Sequence, residues 1–238
     1  MPLSKPMKDL KIAMFLPCYK RHQYTNQCIE ALEEAQGYGE NVHFYMVDDG
    51  SNDGITPQLL EDANLPNKTI VINEENVGTR NTLIDFIQEP QYADFDFIGR
   101  IDNDCKFPRN WLIDMLEIFD KSDVQVLSPN VFPSNAAHVY GTHKEGCLYR
   151  PSKIVGGLWF MYKEIVNGIE FTKLDVKGII GAFNILKQIL LEKEPIVGWA
   201  SNIVVQDLGH WSGKHPDHII CPEHLEYYEE VGRKVSYA

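Results

Sequence analysis

The sequence predicts an α/β protein: a mostly parallel central sheet flanked by helices, built as one domain over residues 1–238. Three observations carry that expectation. Short apolar runs begin roughly every 30 residues through the first half of the chain, the interval of a strand followed by a crossover helix. The segments between the runs have helical rather than alternating periodicity. Acidic turn clusters follow two of the runs directly, at 48–49 and 102–104, and in open α/β sheets ligands bind beyond the carboxyl ends of strands.

Lys11–Pro17 (KIAMFLP) is the first strand, apolar along its length as a strand covered on both faces should be. Tyr24–Ala35 has helix-forming composition and stops before Gly37 and Gly39. Val42–Val47 is the second strand and runs into Asp48-Asp49-Gly50-Ser51; Thr69–Ile72 is a short third, and Thr79–Gln88 is helical. Phe95–Ile101 is the fourth strand, ending at Asp102-Asn103-Asp104. Pro108 suits the first turn of a helix that carries Trp111, Leu112, Met115, Leu116 and Phe119 on one stripe. Val124–Leu127 is the fifth strand. Beyond it the pattern loosens. Residues 130–155 read as a long ordered loop or short hairpin, Gly157–Tyr162 as a strand, Lys177–Lys193 as a helix, and Ile203–Val205 as a last strand entering Gln206-Asp207-Leu208-Gly209-His210.

Composition narrows the class. With 44% hydrophobic and 24% charged residues the chain is an ordinary globular sequence, which excludes collagen-like, coiled-coil and disordered types. No apolar run reaches the ~20 residues of a bilayer crossing. The apolar stretch before Cys18 is followed by Arg21 and His22, where a signal peptide would have small residues, so it reads as a strand and the expected location is cytoplasmic. A net charge of −12 argues against broad binding to nucleic acid or anionic membrane, which rely on clustered Lys and Arg. A local basic pocket, or a cation that recruits phosphate, stays compatible with it. The five cysteines form no CxxC pair, so reduced, mostly buried thiols are expected rather than zinc ligands or disulfides.

Asp102-x-Asp104 is the sharpest chemical signal. Two carboxylates on a strand-end turn can point at one hard cation, with waters and phosphate oxygens completing its shell; two solvated turn acids are the plain alternative. The acceptors of Asp48-Asp49-Gly50-Ser51 suit a nucleobase N–H or ribose hydroxyls, or else simply cap a following helix. Asn76-Val77-Gly78-Thr79-Arg80-Asn81 opens a helix whose glycine lets backbone approach a ligand and whose arginine could pair with phosphate or a carboxylate. His210 follows a late strand, and neutral imidazole suits a metal such as Mn²⁺. GxGxxG, GxxxxGK[ST], HExxH and GxSxG are all absent.

Taken in order, these elements resemble the nucleotide-sugar glycosyltransferases of the GT-A fold, which is Rossmann-like. Leu16-Pro17-Cys18-Tyr19-Lys20-Arg21 is similar to the family's "P-x-Y-N-R", and Asp48-Asp49-Gly50-Ser51, Asn76-x-Gly78-x-Arg80-Asn81 and the DxD of Asp102-Asn103-Asp104 follow. The match is good over about residues 10–130 and loose beyond. The resemblance implies a nucleotide-sugar-binding half over that stretch and an acceptor half with a closing tail over about 131–238. It implies a donor, expected to be a uridine diphosphate sugar, and a cofactor, Mn²⁺ or Mg²⁺. Pro17 and Tyr19 would border the base with Arg21 close by. Asp48 or Asp49 would hold the uracil or its ribose, and Gly78 and Arg80 would lie near the base or diphosphate. Asp102 would contact the ribose or a metal-bound water, with Asp104 a direct ligand and Asn103 between them in the donor site. Leu208-Gly209-His210 looks like the "VGH" of polypeptide N-acetylgalactosaminyltransferases, which implies His210 as a further metal ligand; Lys214 and His215 fall where some members close over the diphosphate.

The chain departs from the family at the acceptor base. Where many inverting members carry an acidic pair, it reads Gly178-Ile179-Ile180-Gly181-Ala182-Phe183-Asn184, leaving Asp175 upstream or Asp207 downstream as candidate bases. Two other functions stay open at this stage: a sugar-nucleotide-forming nucleotidyltransferase, and a non-catalytic nucleotide-sugar-binding module. The acceptor, whether glycan, protein or small molecule, is not legible.

Overall fold

The computed structural model describes residues 3–35, 41–132, 149–152, 158–174 and 180–208. In chain order they form β1 (Ile12–Cys18), α1 (His22–Glu34), β2 (Val42–Asp48), α2 (Ile55–Asp62), β3 (Lys68–Ile72), α3 (Thr79–Gln88), β4 (Phe97–Arg100) and β5 (Cys105–Lys106). There follow α4 (Trp111–Lys121), β6 (Val126–Phe132), β7 (Arg150–Ser152), β8 (Trp159–Tyr162), α5 (Ile180–Lys193) and β9 (Val197–Asp207). All nine strands join one sheet in the order β3-β2-β1-β4-β8-β6-β9-β5, with β7 paired to β9. This is the α/β class the sequence predicts, a central sheet flanked by helices.

The parallel character is confined to part of that sheet. β3, β2, β1 and β4 are all parallel. β8 then runs antiparallel to both β4 and β6, β6 and β9 are parallel, and β5 and β7 lie antiparallel on β9. β5 and β7 are too short to show any periodicity. α2 is too short for its periodicity to stand out in the sequence; its first turn is held by Asp53, whose carboxylate accepts from Ile55 N (3.0 Å), Thr56 N (2.8 Å) and Thr56 Oγ1 (2.8 Å).

Alternation along β1 explains its unbroken apolar run. Ile12, Met14 and Leu16 pack with Leu32, Phe44, Leu112 and Phe119 on one face, whereas Ala13 and Phe15 pack with Tyr45, Leu83 and Phe86 on the other. Trp159 and Phe160 divide between the same two cores, so both are packing residues. Because β1, β2 and β4 are parallel and in register (Cys18 beside Asp48, Phe15 beside Arg100), the loops that follow them emerge at one edge. That edge carries the site.

Candidate active site

The loop after β1 turns through two consecutive left-handed residues, Lys20 (φ 51°) and Arg21 (φ 58°). Non-glycine residues rarely occupy that region, so the surroundings must hold them there. Lys20 N donates to Ser51 Oγ (2.7 Å), Ser51 Oγ donates to Asp48, and the Arg21 carbonyl accepts from Tyr24 N (2.9 Å) at the start of α1. The backbone twist aims the Arg21 side chain across the sheet edge, where its Nη2 lies 3.0 Å from Asp104 Oδ2.

The loop after β2 is built around two buried carboxylates with separate tasks. Asp48 accepts from both Ser51 N and Ser51 Oγ; burial pushes its carboxyl above the ordinary range, and the two Ser51 hydrogen bonds oppose that rise. Asp49 accepts from Asn73 Nδ2 (2.9 Å), Val77 N (3.0 Å) and Gly78 N (2.9 Å), which ties the start of α3 to the end of β2. Three of its roughly four acceptor positions are thereby used. Gly50, at φ +77°, lies against the Glu75–Asn76 backbone.

The turn after β4 is braced from all sides. Arg100 Nη2 lies 2.5 Å from Asp102 Oδ1, Asn103 Nδ2 donates to Thr25 Oγ1 on α1 (2.8 Å), and Leu208 N, just past β9, donates to the Asp104 carbonyl (2.7 Å). Burial raises the Asp102 carboxyl, Arg100 pulls it down, Asp104 pushes it up again, and the balance stays above the ordinary value. The thiols of Cys18, Cys28 and Cys105 are free and buried behind this turn, and burial raises each of them. They are protonated packing groups, as expected for reduced cysteines.

Together these loops line an open cleft. Pro17, Tyr19, Arg21, Asp49, Asp102, Asn103 and Asp104 line it, and they are the sequence candidates that the fold brings together. Asp48 does not; its carboxylate is spent on Ser51. Gly78 is likewise a loop element, giving its N–H to Asp49. Arg80 turns the other way, donating from Nε and Nη2 to the Thr172 carbonyl (3.1 and 2.9 Å), because its position on α3 faces the segment before α5 rather than the cleft. Asp207 stands opposite Cys105 in the β5–β9 pair, next to the DxD turn but not among the lining residues. Asp175, His210, Lys214 and His215 lie outside the described residues.

Arg100, Asn76 and Thr79 line the cleft without having been singled out as site residues. A signal for Arg100 existed: an arginine inside a strand covered on both faces needs a buried partner, and the acid two residues on supplies it. Among the described residues the buried Asn76 Oδ1 has no hydrogen-bond partner.

The donor set suits a hard divalent cation. Asp102 and Asp104 present carboxylate oxygens from one turn, with Arg100 beside the first and Arg21 beside the second. Among the described residues there is no group of three or more His, Cys, Asp or Glu that could hold a metal.

A doubly covered sheet with this strand order and with its cleft at the ends of β1, β2 and β4 is the GT-A architecture. Residues 14–193 match the family model of glycosyl transferase family 2, and the chain belongs to that family. It is 32% identical over 117 residues to the minor teichoic acid biosynthesis protein GgaA of Bacillus subtilis (strain 168), a match covering 47% of this chain and 25% of that protein. The chain thus corresponds to about a quarter of that curated relative. Solved structures share the fold at low identity. S. aureus TarS 1–349 in complex with UDP has a TM-score of 0.63 at 15% identity, covering 83% of this chain and 60% of that one. The mannosyltransferase PcManGT from Pyrobaculum calidifontis, in complex with GDP-Man and Mn²⁺, has a TM-score of 0.66 at 18% identity, covering 98% and 67%.

Proposed function

We propose that the protein transfers a sugar from a uridine diphosphate sugar to an acceptor hydroxyl, with a divalent cation at Asp102 and Asp104. The observation that carries this reading is the sorting of charge within one cleft: an acceptor-rich side at Asp49 and Asn76, and opposite it two carboxylates interleaved with two guanidiniums. The first side suits a base and ribose, the second a diphosphate. The UDP complex of TarS supports uridine as the base.

Asn76 Oδ1 accepts an N–H of the base, and the fourth acceptor position of Asp49 faces the same nucleoside. Asp102 and Asp104 hold the cation through carboxylate oxygens. A bound divalent ion supplies Lewis-acid stabilisation of the charge that develops on the departing diphosphate. Arg21 and Arg100 add fixed positive charge whose planar forks match phosphate oxygens. His210 is the candidate further ligand: Leu208 is hydrogen-bonded to the Asp104 carbonyl, and two residues of chain reach at most about 7 Å from there. Asp207, beside the DxD turn, and Asp175 are the candidate bases for the acceptor hydroxyl. The similarity to a teichoic acid biosynthesis protein makes teichoic-acid-type polymers the first acceptors to try.

Calorimetric titration of UDP with and without Mn²⁺, on the parent and Asp104→Asn, tests the reading. Mn²⁺ should tighten UDP in the parent only, and thermal melting of the ligand-free variant checks that it stays folded after Arg21 loses the Asp104 charge. Parent protein that ignores UDP, or a variant that keeps the full Mn²⁺ effect, would overturn it.

A further inference from the structure

We propose that one face of α1 sets the shape of the turn after β4, with Thr25 and Cys28 as positioning residues for the carboxylates of Asp102 and Asp104. The proposal rests on the reading above that these carboxylates hold a divalent cation, and it gives a role to a helix face and a thiol that the cleft itself does not use.

Asp102, Asn103, Asp104 and Cys105 form a β-turn closed by the hydrogen bond from Cys105 N to the Asp102 carbonyl (3.2 Å). Asn103 and Asp104 occupy its two central positions, between the end of β4 and the start of β5. On one side the sheet holds this turn through Leu208 N, which donates to the Asp104 carbonyl, and through the two-residue β5–β9 pair. On the other side α1 holds it. Positions 21, 25 and 28 fall on one face of this helix and its N-terminal cap, and each meets a different residue of the turn. Cys28 Sγ donates to the Asp102 carbonyl (3.6 Å), Thr25 Oγ1 accepts from Asn103 Nδ2 (2.8 Å), and Arg21 Nη2 lies 3.0 Å from Asp104 Oδ2. Helix and turn are thus matched residue for residue, in opposite directions.

Thr25 and Cys28 are both fully buried, where a polar atom must be placed against a partner. Thr25 also joins two loops, because its N–H donates to the Arg21 carbonyl (3.2 Å) while its hydroxyl takes Asn103. The Cys28 sulfur accepts from the Cys105 N–H as well, so it lies across the hydrogen bond that closes the turn. Asn103 fits the middle of the DxD for the same reason: its amide supplies an N–H that an ionised aspartate would lack. Neither Thr25 nor Cys28 is among the residues lining the cleft. Their effect on a ligand therefore passes through the turn, and groups that orient metal ligands in this way typically matter about 10–100-fold in metal affinity.

The test compares Thr25→Val and Cys28→Ala with the conservative Thr25→Ser and Cys28→Ser in the full chain. Three quantities are measured: Mn²⁺ affinity in the presence of UDP, from the EPR signal of free Mn²⁺; UMP affinity without metal, by calorimetry; and hydrogen exchange of the Cys105 amide in the ligand-free protein, by NMR. Thr25→Val and Cys28→Ala should each weaken Mn²⁺ about 10-fold or more and speed exchange at Cys105, with UMP affinity unchanged, and the serine variants should restore all three to the parent's. A helix face that only stabilises the fold would lower Mn²⁺ and UMP affinity together, or neither, and either result overturns the proposal. Faster exchange with Mn²⁺ affinity kept overturns it too, since the turn then needs no positioning. In both cases a parent that binds Mn²⁺ with UDP leaves the cation reading intact. A parent that binds no Mn²⁺ with UDP overturns the cation reading and with it the positioning role. Should Cys28→Ala not fold, the Thr25 pair decides.

Discussion

Replacing Gly50 by alanine isolates the contact on which the nucleoside side of the cleft depends. Gly50 has φ +77°, and a Cβ there would lie 2.5 Å from Asn76 N and 2.8 Å from Glu75 Cα. Carbon contacts normally sit at about 3.5–4.0 Å, so the 75–76 backbone must retreat by roughly 1 Å. That retreat strains the hydrogen bonds that Val77 N and Gly78 N give to Asp49. The left-handed backbone itself costs about 1–2 kcal/mol, against which reduced freedom of the unfolded chain returns about 0.4–1 kcal/mol. Loss of one charged hydrogen bond adds about 1.5–3 kcal/mol, for a total near 3 kcal/mol. Gly54 is the control: its φ is +66°, but nothing lies within 4 Å of its would-be Cβ. Gly54→Ala should therefore cost only the backbone part, about 1 kcal/mol. Urea unfolding of both variants measures the difference, and UDP titration should show lost affinity in Gly50→Ala alone, because Asn76 moves with the displaced backbone. Two variants of equal stability and equal UDP affinity would refute the reasoning.

Asp49→Asn should cost about 2–4 kcal/mol despite its matched shape, since an amide NH₂ must face an N–H wherever the side chain is turned; urea unfolding within about 0.5 kcal/mol of the parent would count against that packing. Asp53→Ala should cost about 0.5–2 kcal/mol through loss of the α2 cap. Burial opposes the Asp53 charge, but the hydrogen bonds from Thr56 and Ile55 outweigh it and hold the carboxyl below its ordinary value. A lowered folded value means that its stabilisation is complete above the unfolded pKa of about 3.9 and fades as pH falls through the folded one. The gap between variant and parent should thus be constant near neutrality and shrink below about pH 4, and a gap that stays constant in acid contradicts the cap. His210→Ala should weaken Mn²⁺ in the UDP complex and leave UDP alone unaffected, whereas His215→Ala should retain Mn²⁺; identical Mn²⁺ binding by His210→Ala and parent removes His210 from the metal shell.

What the linear pattern determined about this protein is whatever depends on neighbours in the chain. The apolar runs of β1, β2 and β4 and the stripe of α4 follow from burial on two faces or one, and the acidic turns are visible because each directly ends a strand. Family membership was legible for the same reason, since its motifs are short and local. The tertiary structure decided everything that needs a partner far along the chain. Asp48 and Asp49 are adjacent and chemically identical, yet one is consumed by Ser51 and the other reaches Asn73, Val77 and Gly78, because successive residues at a strand end point to opposite sides. Arg80 looked like a phosphate ligand until α3 turned it toward Thr172. Arg100 acquires its partner only when the turn after β4 sets Asp102 against it. The direction of β8, antiparallel between β4 and β6, left no trace in periodicity, because a strand of four residues shows the same alternation read either way. Pairing and facing are properties of chain crossings, and their energies arise between residues tens of positions apart; only the folded arrangement specifies which charges meet.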